Sequence, residues 1–258
     1  MSSAPVHATV RTDLIRRNVG VLRRHAHPAT LLAVLKADAY GHGLRAIATL
    51  LQEMGVRAFA VARVHEAIAL REAGIEGLIL VLAPPTENQL SAYTTYALHA
   101  SVTGVEVAEL LGAAPLASPL SVHVKVDTGM HRLGLSWRET PRWWEHLQAD
   151  ASLRVEGIYT HLATADTPDH ALNHTQLRRF ADTVDALAPA PSVVHVANTD
   201  ALFQLSERLP RTAQYVRTGL GLYGLTSTPP SASGPDRQPD NNELVPVLSL
   251  TARVAHLH

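Results

Sequence analysis

Leu31-Leu32-Ala33-Val34-Leu35-Lys36-Ala37-Asp38-Ala39-Tyr40-Gly41-His42-Gly43 joins two kinds of sequence. Leu31 to Leu35 is a continuous apolar run, as in a strand buried on both faces. Gly41-His42-Gly43 cannot extend it. Beyond it, Leu44, Ile47, Ala48, Leu51 and Met54 recur at helical spacing. Lys36 therefore sits where a core strand meets the loop leading into a helix, a place where α/β folds carry catalytic groups. A lysine there is expected to keep its stem in apolar surroundings, where desolvation disfavours the ammonium form. A neutral amine can form a Schiff base or take a proton. The alternative is a lysine that merely ends a strand and snorkels into water.

The same strand-then-helix unit repeats along the chain. Apolar strands are expected at 31–35, 58–62, 78–82, 96–101, 120–126, 153–159, 193–196 and 214–216, with a weaker one at 6–11. Helical patterns fall between them, over 12–25, 44–54, 64–73, 86–92, 105–111, 140–147, 173–187 and 200–205. Eight strands alternating with helices predict parallel strands closed into a (β/α)8 barrel spanning residues 1–226. An open doubly wound sheet is the competing architecture. Residues 227–243 are rich in Pro, Ser, Gly and Asp and read as a linker. From Val245 to His258 apolar and polar residues alternate with period two, as in one strand of an antiparallel sheet. A lone strand cannot bury its apolar face. Residues 244–258 are therefore expected to be the first strand of a truncated C-terminal β domain, or one whose partner strands come from elsewhere.

Composition narrows the function classes. The chain has 258 residues, 46% of them hydrophobic, with a net charge of −1 and no cysteine. Near-neutral charge gives no reason to expect nucleic acid or an anionic membrane as a partner. Disulfides and thiolate metal sites are excluded. No apolar run reaches the ~18 residues of a membrane span, and the start lacks the pattern of a signal peptide, so the cytoplasm is the expected location. Fifteen histidines are present. None shows metal-ligand spacing on a convincing helix, so no metal is expected. His161 and His195 stand out at strand ends, and most of the others are expected at the surface.

Lys36-Ala37-Asp38-Ala39-Tyr40-Gly41-His42-Gly43 resembles the pyridoxal-phosphate (PLP) lysine motif of alanine racemases, with Asp38 where that family has Asn. The resemblance implies that Lys36 carries PLP as a Schiff base and that Tyr40 reaches the cofactor phosphate. Lys125-Val126-Asp127-Thr128-Gly129-Met130-His131-Arg132-Leu133-Gly134 is similar to a second motif of the family. On the residues alone, Lys125, Asp127 and Arg132 form either a paired network inside the barrel or ordinary surface ion pairs. By the resemblance, Arg132 points at the cofactor's phenolic oxygen and the substrate carboxylate. Lys125 corresponds to a lysine that some members carry as a carbamate.

Thr160-His161-Leu162-Ala163-Thr164-Ala165-Asp166 is similar to a third motif, whose imidazole lies against the PLP ring; Leu162 replaces an aromatic residue. The fourth covers Asn198-Thr199 and Arg217-Thr218-Gly219-Leu220-Gly221. Barrels often bind phosphate after strands seven and eight, although a glycine-rich turn alone is a weak signal. The resemblance assigns phosphate contacts to Thr199, Gly219 and Leu220, and sets Arg217 against the pyridine nitrogen. The expected catalytic residues are thus Lys36, Arg132 and His161. The expected cofactor-binding residues are Lys36, Tyr40, Leu82, His161, Asn198, Thr199, Arg217, Gly219 and Leu220.

The activity so implied is PLP-dependent interconversion of L- and D-alanine, a supply of D-alanine for cell-wall precursors, with Lys36 as the base on the D side. In the family the L-side base is a tyrosine from the C-terminal β domain of the partner subunit in a head-to-tail homodimer. No tyrosine of this chain matches it, so PLP binding with impaired racemisation and weakened dimerisation is expected. The alternatives are a PLP carrier or homeostasis barrel, a racemase for another amino acid such as serine, and, least favoured, a barrel using a sugar phosphate without PLP.

Overall fold

The computed structural model describes residues 6–227 and 243–254. In chain order the strands are β1 (Val6–Val10), β2 (Thr30–Val34), β3 (Ala58–Val61), β4 (Leu78–Val81), β5 (His99–Val102), β6 (Leu120–Asp127), β7 (Leu135–Ser136), β8 (Leu153–Tyr159), β9 (Val193–His195), β10 (Tyr215–Thr218) and β11 (Leu248–Ala252). The helices are α1 (Thr12–Ala26), α2 (Lys36–Gly41), α3 (Leu44–Glu53), α4 (Val64–Glu72), α5 (Leu90–Thr95), α6 (Val105–Ala113), α7 (Thr140–Gln148), α8 (Ala171–Asp185) and α9 (Thr199–Gln204).

Eight strands close into a parallel barrel. β2 pairs with β3, β3 with β4, β4 with β5, and β5 with β6. β6 then pairs with β8, β8 with β9, β9 with β10, and β10 returns to β2. The pairings β10–β2 and β5–β6 leave the ring without an edge, which rules out the open sheet. The two-residue β7 adds to β6 outside the ring.

The continuous apolar run at β2 follows from this architecture. Leu31, Ala33 and Leu35 belong to the layer beneath the helices, with Ile15, Leu22, Leu51 and Phe59. Leu32 and Val34 point the other way, into a small apolar cluster with Ala58, Ala60 and Leu80 inside the barrel. A strand covered on both faces must be apolar at odd and even positions alike.

The other half of the interior is polar. Ser101, His123, Lys125, Tyr159, His195 and Arg217 are all buried, from β5, β6, β8, β9 and β10. His123 is a buried exception to the expectation that most histidines other than His161 and His195 lie at the surface, and it and His195 are both 0% exposed. On β6 the buried polar residues alternate with Val122, Val124 and Val126, so the strand keeps its apolar face toward the helices and sends the polar one inward.

The C-terminal strand has a partner within the chain. β11 pairs antiparallel with β1, from Val6 opposite Ala252 to Val10 opposite Leu248. The ribbon is thin, and Val6, Leu248 and Leu250 remain exposed. Residues 228–242 and 255–258, which include nearly all of the expected linker and the end of the expected strand, lie outside the described residues.

Candidate active site

The C-terminal ends of the barrel strands open into a cavity of about 460 Å³. All ten residues singled out by sequence line it: Lys36, Tyr40, Leu82, Arg132, His161, Asn198, Thr199, Arg217, Gly219 and Leu220. Val34, Ala62, Ala83, Lys125, Leu133, Tyr159 and Asp200 complete the wall.

Lys36 follows β2 directly and opens an unusual turn. Ala37, Asp38, Ala39 and Tyr40 have φ of 53 to 55°, a left-handed helical turn built from four non-glycine residues. Each costs roughly 1–2 kcal/mol in this region, so the turn needs outside support. Asp38 supplies some, its Oδ1 accepting the Leu44 N–H at 2.7 Å and so capping α3. Glu66, buried on α4, accepts the Ala37 N–H at 2.6 Å. The turn swings Tyr40 back over the strand end, and a Cβ at Gly219 would collide with its hydroxyl. The Lys36 ammonium stands 5.8 Å from the Tyr40 ring centre. Lys36 is exposed rather than enclosed in apolar surroundings. The apolar surroundings expected from its place at a strand end are not found, and the left-handed turn leaves the cavity mouth open around it.

Charge is distributed unevenly. Lys36, Lys125, Arg132 and Arg217 line one cavity, and none of the ion pairs among the described residues involves any of them. Of the two alternatives for Lys125, Asp127 and Arg132, the paired network is not seen among the described ion pairs. Asp127 is taken by its own loop, its Oδ1 accepting the N–H groups of Gly129, Met130 and His131 at 3.0–3.1 Å. Its Oδ2 lies 3.2 Å from His131 Nδ1. Lys125 is left buried near Tyr159, and burial, helped by Arg132 and Arg217, pushes its ammonium down to about 8.

Arg217 is held by neutral acceptors. Nη1 donates to the His195 carbonyl at 2.9 Å, and Nη2 to those of Thr160 at 2.6 Å and Val196 at 3.1 Å. Nη2 also meets His161 Nδ1 at 3.4 Å. The guanidinium lies over the Tyr159 ring, 5.3 Å from its centre. Burial, then the charges of Arg217, Lys125, Arg132 and Lys36, push His161 down to about 3, so its imidazole is neutral at ordinary pH. Asn198 and Thr199 serve local structure as well as the cavity. Asn198 Oδ1 caps α9 through the Ala201 N–H at 2.9 Å, and Thr199 Oγ1 accepts the Gly221 N–H at 3.2 Å.

This arrangement suits a small anion with a flat aromatic body. Four cations without carboxylate partners would be satisfied by phosphate, carboxylate and phenolate oxygens. Gly219, tight against Tyr40, gives a cradle that any side chain would fill. Arg217 is donor-only, so a ring nitrogen facing it would have to be an unprotonated acceptor. PLP, the cofactor implied by the motifs, presents each of these groups. Lys36, Tyr40, Thr199, Gly219 and Leu220 would hold it, with Arg217 and His161 beside its ring.

Sequence reading missed two features that build the site. Glu66 has only the Arg63-x-x-Glu66 spacing of a helix start as a signal. Tyr159, whose hydroxyl donates to Ser101 at 2.9 Å and whose ring stacks on His195, carries no motif signal at all.

Comparison with known proteins agrees with the motifs and the fold. Residues 10–227 match the family model "Alanine racemase, N-terminal domain". The chain is 36% identical to an alanine racemase of Nostoc over 262 residues, 97% of this chain and 65% of that protein. It is 36% identical to alanine racemase 2 of Bacillus subtilis, covering 96% of this chain and 63% of that protein. Among solved structures, the alanine racemase of Clostridium difficile superposes with a TM-score of 0.86 at 29% identity, covering 99% of this chain and 66% of that one. The alanine racemase of E. faecalis gives 0.83 at 32% identity, with 95% and 65% covered. The chain thus spans somewhat less than two thirds of the curated relatives it matches first, and with the family model matching residues 10–227 it belongs to the alanine racemase N-terminal domain family.

Proposed function

We propose that this chain is the PLP-binding barrel of an alanine racemase. The observation that carries this reading is the convergence of Lys36, Lys125, Arg132 and Arg217 on one cavity with no carboxylate paired to them among the described ion pairs. When bound, PLP supplies an electron sink that acidifies the α-proton of an amino acid attached to it. The chain's own residues do the rest. Lys36 anchors the cofactor and, when released, its amine is placed to take or return a proton on one face of the substrate. Arg132 orients the substrate carboxylate. The neutral His161 packs against the cofactor ring and adds no charge. Arg217, unable to accept a proton, keeps the ring nitrogen unprotonated and so limits side reactions such as transamination.

Racemisation needs a base on each face of the substrate. Burial raises the hydroxyls of both cavity tyrosines, Tyr40 to about 12, and that of Tyr159 is committed to Ser101. A one-sided proton exchange is therefore the activity proposed for these residues. Full interconversion of L- and D-alanine, a supply of D-alanine for cell-wall precursors, a head-to-tail homodimer, a cytoplasmic location and a C-terminal β domain beginning near residue 244 belong to the same proposal for the whole protein. No helix among the described residues is long and apolar enough to cross a membrane.

The test is direct. PLP is added, the protein is reduced with borohydride, and the modified peptide is mapped. Modification at Lys36, lost in Lys36→Ala, supports the cofactor assignment; no reducible adduct overturns it. D- and L-alanine are then incubated separately with the loaded protein in heavy water. Exchange of D-alanine alone identifies a one-base site, exchange of both a complete racemase, and exchange of neither the PLP-carrier reading.

A further inference from the structure

Beneath Arg217 the polar half of the barrel holds three histidines in line. Arg217 Nη1 lies 3.1 Å from His195 Nδ1. His195 Nε2 lies 3.0 Å from His123 Nδ1, and His123 Nε2 lies 3.3 Å from His99 Nδ1. At the far end Glu156 Oε2 stands 3.7 Å from His99 Nδ1, while the Ser121 hydroxyl donates to Glu156 Oε1 at 2.6 Å. The row crosses the barrel interior through β10, β9, β6, β5 and β8.

A bond from Arg217 to His195 is compatible with only one direction of the bonds along this row. Guanidinium can only donate, so His195 Nδ1 must accept. A neutral imidazole has one N–H and one lone pair, which places the His195 proton on Nε2, donated to His123 Nδ1. By the same step His123 carries its proton on Nε2 and donates it to His99 Nδ1. Charging His123 or His195 would set one N–H against another, and burial opposes the charged form of each. The backbone is adapted to seat the row. The β6–β8 register shifts between Val122 and His123, and a Cβ at Gly157 would overlap the His123 ring. A bulge and a glycine at one point in a barrel wall mark a side chain being aimed.

The row is no proton relay into the cavity, because Arg217 has no proton to exchange. What it conveys is polarity. Every Nδ1 faces Arg217, and the carboxylate of Glu156 lies within 4.8 Å of His123 Nε2, beside the proton-bearing end. We propose that His123, His99 and Glu156 are positioning residues for Arg217, holding one ordered set of histidine tautomers from the barrel floor so that an acceptor always faces the guanidinium. The consequence for PLP rests on the reading that Arg217 faces the cofactor; the tautomer order does not.

A competing use of the same atoms makes the proposal sharp. His99 Nδ1, His123 Nε2 and a Glu156 oxygen are grouped closely enough to hold a metal ion. The 3.3 Å between the two nitrogens is close to the edge of a tetrahedral zinc site with bonds of about 2.0–2.1 Å. Zinc there would need the lone pair of His123 Nε2. His123 and His195 would both reverse, and an N–H of His195 would meet the N–H of Arg217. A bound metal and a seated Arg217 therefore exclude one another.

The experiment reads the tautomers of the unmodified chain, labelled with ¹⁵N-histidine, from long-range ¹H–¹⁵N correlations without cofactor. His123 and His195 are expected neutral with the proton on Nε2, and unchanged by one equivalent of zinc. A proton on Nδ1 of either ring, or zinc bound through His123 Nε2, overturns the proposal. The second arm compares His99→Leu, which removes the acceptor, with His99→Gln, which restores one. Leucine is expected to mix the tautomers of His123 and His195 and to weaken PLP binding by about fivefold, with glutamine returning both toward the parent. Unaltered tautomers and affinity in His99→Leu also overturn it. If PLP fails to bind the parent chain, the functional reading falls while the tautomer measurement still decides this one.

Discussion

Glu66 joins two barrel loops through three backbone hydrogen bonds. Its Oε1 accepts the Ala37 N–H at 2.6 Å, and its Oε2 accepts the N–H groups of Ala62 and Arg63, each at 2.9 Å. One buried carboxylate therefore ties the turn after Lys36 to the strand end at β3 and to the start of α4. The strained left-handed turn is held from outside, by a residue on the next helix.

Glu66→Gln replaces one acceptor oxygen with an NH2 group that faces backbone donors. The expected loss is about 2–3 kcal/mol of stability in urea denaturation. PLP affinity is expected to fall as well, since the turn carrying Lys36 and Tyr40 loses its anchor. An unchanged midpoint would show that the turn is stable without Glu66.

Lys125 gives the protein a stability that rises with alkali. Its folded-state value is depressed to about 8, against ~10.4 for a lysine in the unfolded chain. Below both values each state carries the proton, and the folded state bears the full penalty of a buried charge. Between them the unfolded chain binds more protons, so stability increases with pH. Lys125→Met is expected to be more stable than the parent near neutral pH by about 2 kcal/mol, a gap that closes as pH rises through the window. Urea denaturation across that range, in bicarbonate-free buffer, measures it; a gap independent of pH counts against a charged Lys125.

Two glycines separate folding from binding. Gly134 has φ of +129°, and a Cβ there would lie 2.6 Å from the Asp127 amide nitrogen. Backbone cannot move aside as a side-chain tip can. Gly134→Ala is expected to destabilise the chain by about 2 kcal/mol or more and to displace the Arg132 loop, read as a lowered melting temperature.

A Cβ at Gly219 meets the far end of Tyr40, which can swing away. Gly219→Ala is therefore expected to leave the melting temperature within a few degrees of the parent. Its loss is in PLP affinity, by about tenfold or more, measured by titration of cofactor absorbance. A variant that binds normally would place the cofactor away from this cradle.

Much of the fold could be read from local pattern. Leu31–Leu35 and residues 78–82 are apolar at every position because a parallel barrel covers both faces of its strands, and that requirement is visible in one dimension. The four motifs likewise lie in short runs at strand ends. Lys36 was located correctly by this logic, but its environment was not. Its exposure follows from four left-handed residues that the composition Ala-Asp-Ala-Tyr does not announce. Whether Lys125 pairs with Asp127 was likewise left open by the sequence, and the structure shows no such ion pair among the described residues. Three loop N–H groups within four residues of Asp127 compete for the carboxylate, and they win by being local.

The amino-acid sequence by itself determined the alternation of strands and helices, the residues at the strand ends and the excess of cations there, since each is a property of neighbouring positions. Only the tertiary structure decided that β11 pairs with β1, that Glu66 braces the Lys36 turn, and that His99, His123 and His195 form a row ending at Arg217. These contacts join residues far apart in the chain. Their existence depends on barrel closure and strand register, which bring side chains within hydrogen-bonding distance regardless of the sequence between them.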